Sequence, residues 1–333
     1  LELGNFSITV GAGGLDNEGV IIVSGTGSID KTDTDSGAFR YTAVRDLIAF
    51  TGSDYHDLEI QAAVTQSEEV VVAGATSIAI GAAADLSLID PDNDFATVSI
   101  ASARDIALRD VHAISLGACV VDGNLTVIAG GAITDTDTLS VDGDASFVTR
   151  LDGGASITLD DDNSGGYSNN FGSLVLRTMN TAGLAAAAGA IEAYENSATA
   201  LNGLETLGAA TIQSAGALSD DGALVAASLG ATAVGGITLN DANAIGSISL
   251  SNSGSNAITF TGNTAATLTV SSVAQSAAAA VTIASTGGID IAAAGTGIVC
   301  SSAGDASVSV TASGALSVSD VVTASGAGTV SLS

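Results

Sequence analysis

Internal repetition is the feature that most constrains the fold of this chain. The stretch Leu88–Ile100 returns twice, and its apolar anchors Phe95, Phe171 and Ile245 are 76 and 74 residues apart. Between these copies, a second pattern returns after 79 residues, since Ile133 reappears as Ile212. A superperiod of about 75 to 80 residues predicts a solenoid in which each repeat supplies several coils that stack on their neighbours.

The repeats consist of very short runs in which apolar and small polar residues alternate. Clear examples are Ile106–Leu108, Leu125–Val127, Ile237–Leu239, Ile258–Phe260, Leu268–Val270 and Val308–Val310. Such a period of two indicates β-strands with one buried face, and Gly, Asn, Asp or Ser brackets each run as turn residues do. The spacing alone is also typical of a β-sandwich or an antiparallel barrel, but neither of those folds requires the long-range repetition.

The apolar content fits a thin core. Hydrophobic residues make up 46% of the chain, yet aromatic residues make up only 3% and there is no Trp. Ala, Val, Ile and Leu can fill a narrow tube, whereas a wide globular core usually uses many aromatic side chains. The sequence therefore predicts an all-β fold, a right-handed parallel β-helix (β-solenoid) of about 15 coils.

The regularity of the pattern varies along the chain. We expect N-terminal β-helical coils over residues 1–84, with a less regular stretch at 40–72, and a repetitive β-helix over residues 85–333. The segment Leu184–Leu207 has helical propensity, but its position in the superperiod equates it with strand-forming residues, so we predict β-structure there. Cys119 and Cys300 are too far apart along the solenoid for a disulfide and are predicted to be free and buried.

Charge excludes two classes of partner. The formal net charge is -29, and no lysine or arginine follows Arg177. Nucleic acids and anionic membranes bind to clustered basic residues, so we expect neither partner. No apolar stretch approaches 18 residues, which predicts no membrane insertion of this segment. The acidity favours solubility, and it is also compatible with a saline habitat or bound divalent cations.

Acidic clusters are the sequence features closest to a metal site. Alternating carboxylates could supply oxygen ligands to Ca²⁺. The candidate ligands are Asp30, Asp33, Asp35, Asp90, Asp92 and Asp94, and a third group is Asp160, Asp161 and Asp162 with Asn163. None of these groups completes an EF-hand loop, so solvated turns are the competing interpretation. Calcium is the only cofactor that the sequence suggests.

Catalysis is the main alternative to a passive role, because enzymes that cleave acidic polysaccharides also use parallel β-helices. The best neighbourhood for such chemistry combines Arg104, Asp105, Arg109 and Asp110 with Asp90–Asp94. Outward ion pairs on adjacent strands explain these residues more simply, and the scarcity of aromatic residues disfavours a sugar-binding cleft. His56 and His112, each near aspartates, are interpreted as surface or turn residues. We therefore expect no enzymatic activity.

Several repeat units resemble a known group of proteins. The segments Gly123–Val127, Gly131–Thr134, Val141–Phe147 and Gly236–Ser247 resemble the degenerate repeats of filamentous-haemagglutinin-like and autotransporter-type bacterial surface proteins, and the resemblance extends over about residues 85–333. It implies a β-helical product that is secreted or attached to the cell surface, and it supplies no catalytic residues.

These observations together predict an extracellular structural or adhesive β-solenoid that forms a rigid stalk or a self-assembling fibre segment. The expected partners are other copies of the chain, end to end or laterally, and a host or surface glycan or protein. A polysaccharide lyase or hydrolase and a Ca²⁺-dependent binding module remain the alternatives.

Overall fold

A computed structural model describes residues 1–333 except 12–13, 31, 34, 49, 51–54 and 161–168. Throughout this part of the chain the regular structure is β, and no helix is present. The chain forms two compact units, Leu1–Arg150 and Leu151–Ser333. Each unit is a stack of parallel strands, and together they contain about 15 turns of a β-solenoid. The predicted all-β, parallel β-helix is thus confirmed.

The first unit contains eleven strands among its described residues. They are β1 (Val20–Val23), β2 (Ala38–Tyr41), β3 (Asp57–Ile60), β4 (Val71–Ala79), β5 (Leu86–Leu88), β6 (Asp94–Ala103), β7 (Ile106–Asp110), β8 (Ile114–Val121), β9 (Leu125–Ala129), β10 (Ile133–Asp135) and β11 (Leu139–Arg150).

The second unit contains seventeen strands among its described residues. They are β12 (Ile157–Leu159), β13 (Asn170–Met179), β14 (Ile191–Glu195), β15 (Thr199–Glu205), β16 (Ala209–Ser214), β17 (Leu218–Asp220), β18 (Leu224–Ala233), β19 (Ile237–Asn252), β20 (Ile258–Gly262), β21 (Leu268–Gln275), β22 (Val281–Ser285), β23 (Ile289–Ile291), β24 (Gly297–Cys300), β25 (Val308–Ala312), β26 (Leu316–Val318), β27 (Val322–Thr323) and β28 (Val330–Leu332).

Inward aliphatic side chains form continuous columns along each unit. In the second unit, the parallel register places Ile237, Ile258, Val281 and Val308 directly above one another. These four side chains are at most 1% exposed. Because successive side chains of a strand point to opposite faces, the alternating triplets of the sequence put every second residue into this column. The column buries apolar surface that a single coil could not bury alone.

The first unit is built in the same way. Leu86, Ile106, Leu125 and Ala145 occupy equivalent positions on β5, β7, β9 and β11. All four are buried, while the residues that follow them point outwards. The same alternation therefore organises the two units, as the shared repeat pattern predicts.

Buried asparagine side chains connect the turns of neighbouring coils. The Asn252 Nδ2 donates a hydrogen bond to Gln275 Oε1 at 2.9 Å, and Asn252 Oδ1 accepts one from the Gly236 N–H at 2.9 Å. Asn243 Oδ1 accepts a hydrogen bond from the Leu224 N–H at 2.8 Å. These bonds satisfy backbone donors where the chain turns and the strand ladder cannot reach them.

Several finer predictions are also confirmed. The repeat anchors Phe95, Phe171 and Ile245 are buried residues of strands. The segment Leu184–Leu207 contains β14 and β15 and no helix, because the stacking of equivalent residues outweighs its helical propensity. Both cysteines are free and buried.

The stretch 40–72 departs from the regular coil. Its described residues form no strand between Thr42 and His56, where the Phe50 ring packs edge-to-face against Phe39 and Tyr55. The hydroxyls of Tyr41 and Tyr55 lie 2.7 Å apart, and Tyr55 donates a hydrogen bond to the Ile48 carbonyl at 2.7 Å. The sequence predicts a change at residue 84 from less regular to more regular coils. This is a different property from the division into two compact units, and it stays a prediction.

The columns predict how side chains differ in their contribution to stability. Phe260 is fully buried between Leu239 and Ile283, so Phe260→Ala should lower the free energy of unfolding by about 3 to 5 kcal/mol. Thr259→Ala removes the adjacent outward side chain and should change the free energy of unfolding by no more than about 0.5 kcal/mol. Urea unfolding followed by circular dichroism measures both effects, and equal effects would contradict the inward column.

Candidate functional site

The first unit carries a groove on its surface. Its volume is about 660 Å³. The residues that line it are Val64, Thr65, Gln66, Ser67, Asp85, Ser87, Ile89, Asp90 and Pro91. A cavity of this size is within the range of ligand-binding pockets.

The groove exists because the strand ladder is interrupted at this point. On one edge, β5 pairs with β7, and Leu86 lies opposite Ile106. On the other edge, no described strand pairs with β5. The preceding coil passes there as residues 61–69, whose only bridge to another residue is the one between Thr65 and Asp46. Among the described residues, no backbone hydrogen bond joins residues 62–67 to residues 84–89.

The open edge of β5 presents backbone groups to the groove. The Leu86 N–H donates a hydrogen bond to the Asp105 carbonyl at 2.9 Å, on the side of β7. In parallel strands, the backbone groups of successive residues point to opposite edges. The N–H and C=O of Ser87 therefore point away from β7, towards the coil that carries Thr65.

One end of the groove is closed by a side-chain network. Asn93 is fully buried, and its Oδ1 accepts a hydrogen bond from the Val70 N–H at 2.8 Å and another from Gln66 Nε2. The strand ladder resumes beyond this network, where the Asp94 N–H donates to the Val70 carbonyl at 3.1 Å. The interruption is therefore confined to the space between Thr65 and Asp90.

The groove combines negative charge with an exposed aliphatic side chain. Asp85 forms an ion pair with Arg104, and this guanidinium holds the pKa of Asp85 below its ordinary value. Asp90 Oδ1 accepts a hydrogen bond from the Asp92 N–H at 3.0 Å. Ile89 is 55% exposed, which is high for a side chain of its size in this fold. The groove can therefore accommodate a ligand with both positive and apolar groups.

In the first predicted calcium cluster, the carboxylates of Asp30 and Asp33 accept hydrogen bonds from backbone N–H groups. The Asp33 carboxylate accepts hydrogen bonds from the backbone N–H groups of Asn17 at 2.5 Å and Asp35 at 3.3 Å. The Asn17 N–H contributes most to lowering the pKa of Asp33 to about 2, while the neighbouring Asp33 raises the pKa of Asp35. Asp30 Oδ1 accepts a hydrogen bond from the Val10 N–H at 2.7 Å.

The second predicted cluster is divided between the groove and a neighbouring turn. Asp90 lines the groove and Asp92 is exposed, whereas Asp94 Oδ2 lies 3.1 Å from His112 Nδ1. In the third group, Asp161, Asp162 and Asn163 lie outside the described residues. Among the described residues, no three His, Cys, Asp or Glu side chains are grouped so that they could hold a metal ion. Calcium binding stays a prediction. A comparison of the melting temperature in Ca²⁺ with that in a chelator would test it.

The residues of the alternative catalytic neighbourhood take separate positions. Arg104 lies outside, between Asp85 and Asp105, and its Nε is 3.3 Å from Asp105 Oδ2. Asp110 is only 2% exposed, and its two oxygens accept hydrogen bonds from the N–H groups of Phe95 at 2.6 Å and His112 at 2.7 Å. Burial raises the pKa of Asp110 to about 6. These contacts connect successive coils.

The remaining histidine has a local partner. His56 Nδ1 lies 3.4 Å from Asp57 Oδ2, in the coil that precedes the groove. Asp54, the other aspartate close to His56 in the sequence, lies outside the described residues.

Sequence reasoning missed most of the groove. Of the predicted site residues, only Asp90 lines it. A signal was present, because residues 61–69 lack the apolar alternation of the neighbouring coils and contain Glu68 and Glu69 where a strand would otherwise continue. A repeat that lacks one strand leaves the next strand with an open edge.

Comparison with known families supports the repetitive architecture. A family described as repeats of unknown function (DUF5649) matches residues 36–102 and again residues 103–178. The two matches are consecutive, and the first contains the whole groove. No curated protein and no solved structure matches the chain significantly.

The fold and the tandem matches together define the class of this molecule. It is a repeat protein that is built as a parallel β-solenoid, and over residues 36–178 it is similar to these repeats. No helix among the described residues is long and apolar enough to span a membrane.

The burial of Asp110 predicts a pH-dependent contribution to stability. Its pKa is about 6 in the folded chain against an ordinary 3.8, so the folded state takes up the proton first as the pH falls. The stabilising effect of this proton is complete below pH 3.8 and is lost as the pH rises through 6. Relative to Asp110→Asn, the unfolding free energy of the wild type should therefore fall between pH 4 and pH 7, by about 3 kcal/mol at most.

Urea unfolding at several pH values measures this difference. The exposed Asp122→Asn is the control for the loss of one negative charge. A difference between the wild type and Asp110→Asn that is constant with pH would contradict the burial of an ionisable Asp110.

Proposed function

We propose that this chain is an extracellular structural or adhesive module, a stiff stalk or self-assembling fibre segment at a bacterial cell surface. The observation that carries the proposal is the stacking of inward columns with parallel hydrogen-bonded strands in both units. A coil within such a stack has its backbone groups paired above and below, so bending it breaks hydrogen bonds and exposes apolar surface.

Resemblance and composition support the location. The repeat units resemble those of filamentous-haemagglutinin-like and autotransporter-type surface proteins, which use β-helices as stalks and surface polymers. A net charge of -29 keeps a long apolar repeat in solution outside the cell. Secretion and surface attachment belong to this proposal.

An uncharged face of the second unit supports self-association. The outward positions of β20, β22 and β25 carry Thr259, Thr282 and Ser309, which stack in one column. Strands β20, β22 and β25 contain no charged residue. Two copies of such an acidic chain repel each other. Because these three strands carry no charge, two copies that approach through this face repel each other less than copies that approach through acidic surfaces.

Electron microscopy of negatively stained protein tests the structural role. We expect unbranched fibres or laterally associated particles at high protein concentration. Thr282→Asp places a charge on the uncharged face and should reduce this association by electrostatic repulsion, whereas Thr126→Asp, on an outward position of β9, is the matched control. Isolated particles at every concentration would contradict self-association.

Antibody labelling of intact cells tests the location separately. We expect labelling of unpermeabilised cells that express the native gene product, because a surface module is accessible to antibodies from outside. Labelling that requires permeabilisation would contradict the extracellular assignment and would leave the fold unchanged.

A further inference from the structure

We propose that the groove binds an extended basic peptide segment of a partner protein, which adds a strand to the open edge of β5. The proposal names a binding site and a class of partner, and it goes beyond the structural role. It does not depend on fibre formation, because the groove lies on the first unit and the uncharged face belongs to the second.

The backbone of β5 supplies the recognition element. The Ser87 N–H and C=O point towards the groove because Leu86 bonds to the opposite side, at the Asp105 carbonyl. A carbonyl of the added strand would accept a hydrogen bond from the Ser87 N–H, and an N–H of the added strand would donate one to the Ser87 C=O. Strand addition to a sheet edge uses the same backbone pairing in other proteins. The edge of β5 is open because residues 61–69 form no strand. By contrast, β7 and β9, which follow β5 in the same column, each pair with a strand on both edges.

The side chains around the open edge select the chemistry of the peptide. Ile89 is 55% exposed and lines the groove, so an aliphatic side chain of the ligand can be buried against it. Asp90 lines the same groove, and its carboxylate favours lysine or arginine at a neighbouring position of the ligand, whereas Asp85 is already paired with Arg104. Since side chains of a strand alternate, a peptide with alternating basic and aliphatic residues fits both requirements.

A saccharide is the competing occupant, and the groove suits it less well. None of the nine lining residues is aromatic, so the groove provides no flat apolar platform for a sugar ring. A sugar would also leave the alternating donor and acceptor of Ser87 without partners of the matching spacing. The peptide satisfies these groups and the carboxylates together.

Fluorescence anisotropy with the full chain tests the proposal directly. The probe is a labelled hexapeptide of alternating lysine and valine. We expect it to bind and to be displaced by the unlabelled peptide, with an affinity that falls as the salt concentration rises. A hexapeptide of alternating glutamate and valine tests charge, and a lysine–valine peptide with alternate N-methylated amides tests backbone pairing. Both should bind at least about tenfold more weakly.

Variants of the chain locate the binding. Ile89→Ser and Asp90→Asn should each weaken binding by about tenfold, and Ser87→Pro should do so by removing the edge donor. The matched controls are Val120→Ser, at a β8 position that is 47% exposed, and Asp122→Asn, at another exposed position, and both should bind like the wild type. Circular dichroism confirms that each variant folds.

Three outcomes would overturn the proposal. The first is equal affinity of the wild-type chain for the plain and the N-methylated peptides. This comparison uses no variant, so it holds even if Ser87→Pro does not fold. The second is an equal effect of Ile89→Ser and Val120→Ser on the affinity for the peptide. The third is binding or cleavage of a neutral or acidic oligosaccharide in the groove without binding of the basic peptide. None of these outcomes bears on fibre formation.

Discussion

The parallel hydrogen-bond ladder between successive coils is the constraint on which the rest of the structure depends. It fixes the register, and the register places equivalent residues above one another, as in the column from Ile237 to Val308. Each coil is too small to bury its own apolar side chains, so stability comes from contacts between coils rather than within them. A few residue types can therefore fill the core, and the turns can use asparagine and glycine to satisfy the remaining backbone groups.

The same constraint explains which features the sequence could predict. The alternation of apolar and polar residues, together with the 76- and 74-residue spacing of Phe95, Phe171 and Ile245, suffices for the strands, their direction and the solenoid. It also predicts β-structure in Leu184–Leu207 against local propensity. The pattern recurs because every coil must present the same faces to its neighbours.

The groove could not be predicted from the same pattern, because it arises where the pattern lapses. An open strand edge depends on what the preceding coil does, and residues 61–69 reveal only that they lack a strand. The acidic residues were visible in the sequence, but their contacts were not. Asp33 and Asp110 accept backbone hydrogen bonds that connect coils, whereas Asp85 and Asp90 line the groove. Carboxylates with similar sequence contexts thus take different positions once the coils stack.

The stabilising columns and the proposed binding groove consequently involve different residues of the chain. The inward columns tolerate little change, whereas an outward residue or an irregular coil can vary without breaking the ladder. The interruption beside β5 removes one strand pairing and leaves a short open edge on that strand. Its end is held by the buried Asn93, which keeps the next coil in register.

Residue-resolved hydrogen exchange at Leu86 and Ser87 tests this account most directly. The Leu86 N–H bonds to the Asp105 carbonyl and should exchange slowly, while the Ser87 N–H faces the groove and should exchange rapidly. In the next coils, the amides of β7 and β9 should be protected at successive residues. Equal and strong protection of Leu86 and Ser87 would show that β5 is paired on both edges, and it would contradict the interrupted ladder.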